Sequence, residues 1–371
     1  MFKSLFSIWG GGLLALSFSV SAHADDKISV LIVDGQNNHA WQQTTPLMKK
    51  ELEACGRFTV DVATSPAKVN PPNKPKEPNK PKEPNKPADE NDATAKAKYE
   101  KDLADYQKAQ AKYEDDLAKF QKTLPMLQAK YEDDLAKYKA AEGAYREAMA
   151  KFRPEFSKYQ VVLLNYNGDP WSEAAQSDLE EYVAGGKGGL VIVHAANNSF
   201  TGWKQYNLMI GMGWRGNSFG DRLTTDDQGK EVRVDKGKGP GAGHGAKHPF
   251  TITIRDRSHP IVKDMPVEWK HASDELYHGM RGPIENVHLI ATAYSDKNFG
   301  GTGENEPMIW TVSYGKGRVF HTPMGHDTES MHCLGFIATL QRGTEWAATG
   351  QVTVALPKDF PTAEKTSSRG K

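Results

Sequence analysis

Cysteine is scarce in this chain: Cys55 and Cys333 are its only two. That excludes a disulfide-framed miniature scaffold, and the absence of Cys-x-x-Cys excludes a dithiol redox motif. A core of this size needs no covalent staple, so two free, buried thiols are expected, although an oxidising compartment would permit a pair. An excess charge of one sign is also missing. Lys plus Arg number 47 and Asp plus Glu number 47, for a net charge of zero. No field therefore draws the protein to nucleic acid or to an anionic membrane. No long apolar run follows the first 24 residues, so no membrane span is expected in the mature chain. Gly-x-Ser-x-Gly and a phosphate loop are absent as well. Gly211-x-Gly213-x-x-Gly216 has the dinucleotide spacing, but it contains Trp214 and does not open a helix after a first strand, so it lacks the phosphate-cradling context.

What is present begins with an export signal. Lys3 precedes the apolar stretch 5–20, three glycines interrupt that stretch, and Ala22-His23-Ala24 supplies the small residues a signal peptidase requires before Asp25-Asp26. The run is too short and too glycine-rich for a spanning anchor. Residues 1–24 read as a signal peptide, and the mature protein is expected to be periplasmic or secreted.

Two insertions then interrupt a globular pattern. In residues 65–96 the unit Pro-Asn-Lys-Pro-Lys-Glu recurs with a period of six. With almost nothing to bury, this segment is expected to be a disordered, extended, polyproline-like tether. In residues 97–152 apolar positions follow heptad spacing: Tyr99, Leu103, Tyr106, Tyr113, Leu117, Phe120, Leu124, Leu127, Tyr131, Leu135, Tyr138, Tyr145, Met149 and Phe152. This predicts an α-helical coiled coil. Pro125 divides it into arms of similar length, which suits an intramolecular hairpin, the expected form. The heptad phase runs through Pro125 unbroken, which suits instead one long helix that self-associates with another chain.

The remainder, 27–64 plus 153–350, alternates strands and helices, followed by a tail at 351–371. Ile28–Val33, Phe58–Ala63, Val161–Leu164 and Leu190–Val193 read as buried strands, with helices at Trp41–Ala54 and Ser172–Ala184 between them and a further helix near Gly202–Ile210. This order predicts an α/β domain with a doubly wound, mostly parallel sheet. Later strands are expected at Phe250–Ile254, His288–Ala293, Met308–Val312 and Arg318–His321.

Ligands of such sheets bind beyond the carboxyl ends of the strands. Polar side chains gather there: Asp34, Asn38 and His39 after the first strand; Asn165, Asn167 and Asp169 after the third; His194, Asn197 and Asn198 after the fourth; His321, His326 and Asp327 after the last. His194 occupies the tight strand-to-helix turn where many hydrolases carry a nucleophile, and an imidazole there serves as ligand, acid or base. Asp274-Glu275-Leu276-Tyr277-His278 groups two carboxylates, a phenol and an imidazole. His194, Asp274, Glu275 and His326 are the candidate catalytic residues. Asp34, His39, Asn167, Asn198, Trp203, Trp214 and Tyr277 are candidate substrate contacts, because flat rings beside carboxamides suit a sugar. His244 and His248, in a glycine-rich loop, are candidate ligands for a divalent metal.

Val-Asp-Gly-Gln-Asn-Asn-His (33–39), Val-His-Ala-Ala-Asn-Asn-Ser-Phe (193–200), Asp-Glu-Leu-Tyr (274–277), Gly-Lys-Gly-Arg-Val-Phe-His with Gly-His-Asp (315–327) and Gln-Arg-Gly-Thr-Glu-Trp-Ala-Ala-Thr-Gly (341–350) together resemble the ThuA-like, trehalose-utilisation family. The resemblance spans both halves of the α/β domain and neither insertion. It implies a fold like that of the class I glutamine amidotransferases and a role in catabolism of disaccharides or their oxidised derivatives. His194 stands where that superfold has its catalytic cysteine, so glutamine amidotransfer is not expected. Asn217 stands near a position where family members often carry histidine. The expectation is an exported hydrolase, lyase or isomerase acting on a small-molecule carbohydrate such as a keto glycoside. The rival is a non-catalytic carbohydrate-binding or envelope-associated module on a coiled-coil stalk.

Overall fold

The structure is a computed structural model that describes residues 27–89 and 91–370. The expected signal peptide lies outside the described residues. In chain order the strands are β1 (Ile28–Asp34), β2 (Phe58–Thr64), β3 (Val161–Leu164), β4 (Gly189–Val193), β5 (Arg222–Thr225), β6 (Glu231–Val234), β7 (Gly243–His244), β8 (Thr251–Ile254), β9 (Glu268–Lys270), β10 (Tyr277–His278), β11 (Val287–Tyr294), β12 (Asn305–Tyr314) and β13 (Gly317–Thr322). The helices are α1 (Trp41–Ala54), α2 (Ala93–Lys151), α3 (Glu173–Ala184), α4 (Lys204–Ile210), α5 (Thr328–Met331) and α6 (Leu334–Thr349).

The main sheet runs β2-β1-β3-β4-β13-β12-β11-β8-β9. Its first five strands are mutually parallel, and every later pairing is antiparallel. Short, apolar parallel strands need a cover on each face. In β1, Ile28, Val30 and Ile32 face the layer containing α1 and α6, whereas Leu31 and Val33 face the layer containing α3 and α4. The chain steps from β1 outward to β2 and then back across to β3, so the strand order reverses between β1 and β3. Such a reversal splays the loops at the carboxyl edge and opens a crevice there. The tail is docked onto the domain: Val352, Val354, Leu356 and Phe360 pack on the core, and Arg369 pairs with the buried Glu51 at 2.6 Å. Both cysteines are free; Cys333 is buried, whereas Cys55 lies at the surface.

The insertion departs from expectation. α2 is one continuous helix of 59 residues, with Pro125 inside it and Asp92 capping its first turn. The intramolecular hairpin is therefore absent. An interior proline costs about 3 kcal/mol. Here the helix is reinforced along its length by i,i+4 ion pairs such as Lys98–Asp102, Lys130–Asp134 and Glu142–Arg146. Its apolar stripe is also shielded by something other than a second helical arm. From Tyr99 to Tyr145 every heptad position named above is half-buried. The preceding segment repeats its burial every third residue: Pro66, Val69, Pro72, Pro75, Pro78, Pro81, Pro84 and Pro87 are half-buried while the residues between them are exposed. Pro71 is exposed beside half-buried Pro72, so the pattern reflects position and not residue type. Period three is that of polyproline II. Residues 66–87 at about 3.1 Å each span roughly 68 Å. Residues 95–138 at about 1.5 Å each span roughly 65 Å. The two half-buried stripes match in length. The base of this arm is tied to the domain, where Gln36 Nε2 donates to the Pro66 carbonyl at 3.1 Å and to the Tyr145 hydroxyl at 2.9 Å.

Candidate functional site

β4 ends at Val193, and His194 turns the chain with φ of +46°, in the left-handed region that an L-residue enters at a cost. The turn throws the imidazole out over the carboxyl edge of the sheet. His194 Nδ1 lies 2.7 Å from the Pro323 carbonyl. A carbonyl only accepts, so Nδ1 carries the proton and Nε2 presents its lone pair to the crevice. That Nε2 is 2.9 Å from the Tyr277 hydroxyl and 3.3 Å from His39 Nε2.

His39 reaches the same point from the β1–α1 loop. Gly35 opens that loop with φ of +109°, and a Cβ there would sit 2.5 Å from the Ser65 backbone nitrogen, so only glycine fits. Asn37 Oδ1 accepts from the His39 backbone at 3.0 Å and lies 3.2 Å from its Nδ1, which leaves Nε2 facing inward. His326 comes from the loop after β13. Its Nδ1 is 3.0 Å from Glu275 Oε2 but forms no hydrogen bond of acceptable geometry. The two atoms are close because both aim at a common point. Glu275 Oε2 is also 3.7 Å from His194 Nε2 and 3.9 Å from His39 Nε2, and its Oε1 is 3.5 Å from His244 Nε2.

One ligand atom from each of His39, His194, Glu275 and His326 lies within 4.8 Å of all the others. Ligands at about 2.0–2.1 Å from a tetrahedral metal are roughly 3.3 Å apart. The closest separations, 3.0, 3.3, 3.7 and 3.9 Å, bracket that edge. Imidazole and carboxylate together suit zinc and its divalent first-row neighbours. Burial, reinforced by the neighbouring His39 and His326, pushes the His194 imidazole down to about 4 against the opposing pull of Asp274. It is therefore neutral at ordinary pH, the form a metal binds. Burial disfavours charge on Glu275, but the His326 and His39 rings outweigh it and hold the carboxyl well below its usual range. Contact with Glu275 raises His326. Burial, with the Glu275 and Asp274 carboxylates adding, lifts the Tyr277 phenol far above its usual value, so it stays a hydrogen-bond donor.

The trehalose-utilisation (ThuA) family matches residues 109–347. A crystal structure of a ThuA-like protein from Parabacteroides merdae is 35% identical, covering 92% of this chain and 98% of that one, with a TM-score of 0.69. This chain belongs to the ThuA-like family. A second ThuA-like crystal structure, from Bacteroides uniformis, is 15% identical over 93% of this chain and 99% of that one, with a TM-score of 0.44. Among curated proteins nothing matches the chain.

Of the residues singled out in the ThuA-like sequence, the structure brings His39, His194, Glu275, His326 and Tyr277 to one point. Trp214 and His244 stand at its rim: Trp214 packs edge-on against Tyr277 at 4.6 Å and faces the His244 ring at 5.8 Å. The two-stranded ribbon β7–β10 carries His244 and Tyr277 there in register. Other candidates lie elsewhere. Asp274 is fully buried and accepts from the backbone N–H groups of Gly325 at 2.7 Å, His326 at 3.1 Å and Glu275 at 2.9 Å, and it lies 2.9 Å from His271 Nε2. It positions the ligands and cannot meet substrate. His248 is not a partner of His244, because its ring stacks on Phe299 at 3.9 Å and its Nδ1 lies 2.8 Å from the Ala246 carbonyl. Trp203 is core, stacked on Tyr206. Asp34 is buried beneath the loop and accepts from Thr64 at 2.7 Å. Asn167 donates to Asn38 at 2.6 Å at the mouth of the β1–β3 crevice. Asn198 offers its backbone carbonyl to Arg215, and its side-chain oxygen has no hydrogen-bond partner. Asn217 is an exposed loop residue that donates weakly to Gly239.

Sequence reasoning missed the support behind these groups. Asn37, the Pro323 carbonyl and the buried His271–Asp274 pair all orient ligand side chains. The neighbouring Gln-Asn-Asn-His and Thr-Pro-Met-Gly-His strings were the available signal.

Proposed function

We propose that this ThuA-like protein is an exported metal-dependent enzyme acting on a small carbohydrate or keto glycoside. The observation that carries the reading is the convergence of three imidazoles and one carboxylate, from four separate loops, at metal-ligand separations. A fortuitous cluster would not also show His194 and His39 each with Nδ1 engaged by an oxygen acceptor, which turns Nε2 toward the centre. A divalent metal at this point would act as a Lewis acid on a substrate oxygen. The protonated Tyr277 phenol, 2.9 Å from His194 Nε2, supplies a donor to that oxygen. Trp214 and the ThuA family's trehalose-utilisation description support a sugar as substrate.

A second reading rests on the same ligand set. Four protein ligands can close a tetrahedral shell, which is the habit of structural sites, and the domain would then be a binding module. The decisive experiment screens disaccharides and their keto derivatives with metal-loaded protein. Turnover lost in His194→Ala, with thermal stability retained, supports the enzyme. Metal binding without turnover of any member of the panel supports the module.

A further inference from the structure

We propose a neutral-sugar subsite beside the metal centre, one wall of which is built by the inserted arm; the inference extends the carbohydrate reading above. A cleft opens where the strand order reverses between β1 and β3. Asn37, Asn38, Trp41 and Gln42 line it from the β1–α1 segment, Asn167 from the loop after β3, and Asn70 from the proline segment. The cleft adjoins the centre directly, because Asn37 is the residue that holds His39.

The chemistry of the lining selects the ligand. Carboxamides donate and accept at once, which suits vicinal hydroxyl groups. Asn38 and Asn167 are fixed against each other, whereas Gln42 and Asn70 have no side-chain hydrogen bond among the described residues. Trp41 is half-buried, and alone among the described tryptophans it has no ring packed against it. An indole without a ring partner in a cleft lined by carboxamides suits a pyranose ring, its C–H face on the indole and its hydroxyls on the amides. No carboxylate lines the cleft, and its one ammonium, Lys68, is held by Asp169 at 2.5 Å. The ligand is therefore uncharged.

The arm's contribution is rigidly seated. Gln36 donates to Pro66 and Tyr145, its Oε1 accepts from the Asp169 backbone at 3.0 Å, and Tyr145 donates to Asp169 at 2.6 Å. These bonds lock the start of the proline segment and the end of α2 onto the loops that form the cleft.

The test is calorimetric titration of the purified protein with trehalose, maltose and glucose, alongside metal content by plasma emission. Trp41→Ala is expected to weaken sugar binding roughly tenfold and Asn70→Ala severalfold. Trp41→Phe should stay within about threefold of wild type, and none of the three should change metal content. Glu275→Gln should lower metal content. Wild-type affinity in both Trp41→Ala and Asn70→Ala overturns the subsite, as does the absence of binding by all three sugars. Sugar binding that depends on Trp41 in a protein that takes up no metal would leave the subsite standing and refute the metal centre instead.

Discussion

Replacing Asp274 by asparagine should loosen the centre without touching a ligand. The carboxylate is fully buried and takes three backbone N–H bonds, two of them from Gly325 and His326, and faces His271 across 2.9 Å. A buried charged hydrogen bond contributes about 1.5–3 kcal/mol, and breaking a buried charge pair costs about 3–5 kcal/mol. Asparagine keeps one acceptor oxygen but turns an N–H₂ donor toward groups that themselves donate. A loss of roughly 3–5 kcal/mol follows, which at about 2–4 °C per kcal/mol lowers Tm by on the order of 10 °C. Because Asp274 sets the backbone of both Glu275 and His326, metal affinity should fall about 10–100-fold. Thermal melting of the metal-free protein measures the first effect, and competition with a chromogenic chelator measures the second. A variant that melts within 1 °C of wild type and binds metal equally well would refute the argument that this buried carboxylate organises the site.

Further predictions concern the loop, the arm and the helix. Gly35→Ala should destabilise by about 2 kcal/mol or more, because φ of +109° strains any side chain and its Cβ would meet the Ser65 backbone; an unchanged urea midpoint would contradict this. Pro125→Ala should restore a backbone hydrogen bond in α2 and stabilise it by up to about 3 kcal/mol, so that the helical signal at 222 nm persists to higher temperature; an unchanged melting curve would contradict this. The protein should sediment as a monomer, since the heptad stripe is already half-buried within a single chain. A dimer that disappears on removing residues 65–152 would show that the stripe is open to another chain.

The parallel half of the fold was legible in the sequence because its strands are unbroken apolar runs separated by helical periodicity. Trp41–Ala54 and Val161–Leu164 have the expected limits. The antiparallel half was less so: β5, β6, β9 and β10 are only two to four residues long, so period-two alternation has no length over which to show. The helix over Tyr99 to Phe152 was legible in its heptad spacing, but its continuity through Pro125 was not. At the site, residue type and strand-end position singled out His39, His194 and His326, and the Asp274–His278 group contributed Glu275, but as substrate contact and acid–base candidates and not as one ligand set, which the reading placed at His244 and His248. They did not separate Glu275 from Asp274, because adjacent residues on an extended segment point opposite ways, one into the crevice and one into the core. Nor could spacing show that His248 turns onto Phe299 while His244 turns onto Glu275.

The most direct test of the central claim is the metal content of the purified protein after equilibration with zinc, manganese and nickel in turn and removal of excess ion. The geometry predicts one tightly held divalent ion per chain in wild type, and its loss in both His194→Ala and Glu275→Gln with the fold retained. A wild-type protein that retains no ion, or variants that retain it at wild-type stoichiometry, would contradict the account.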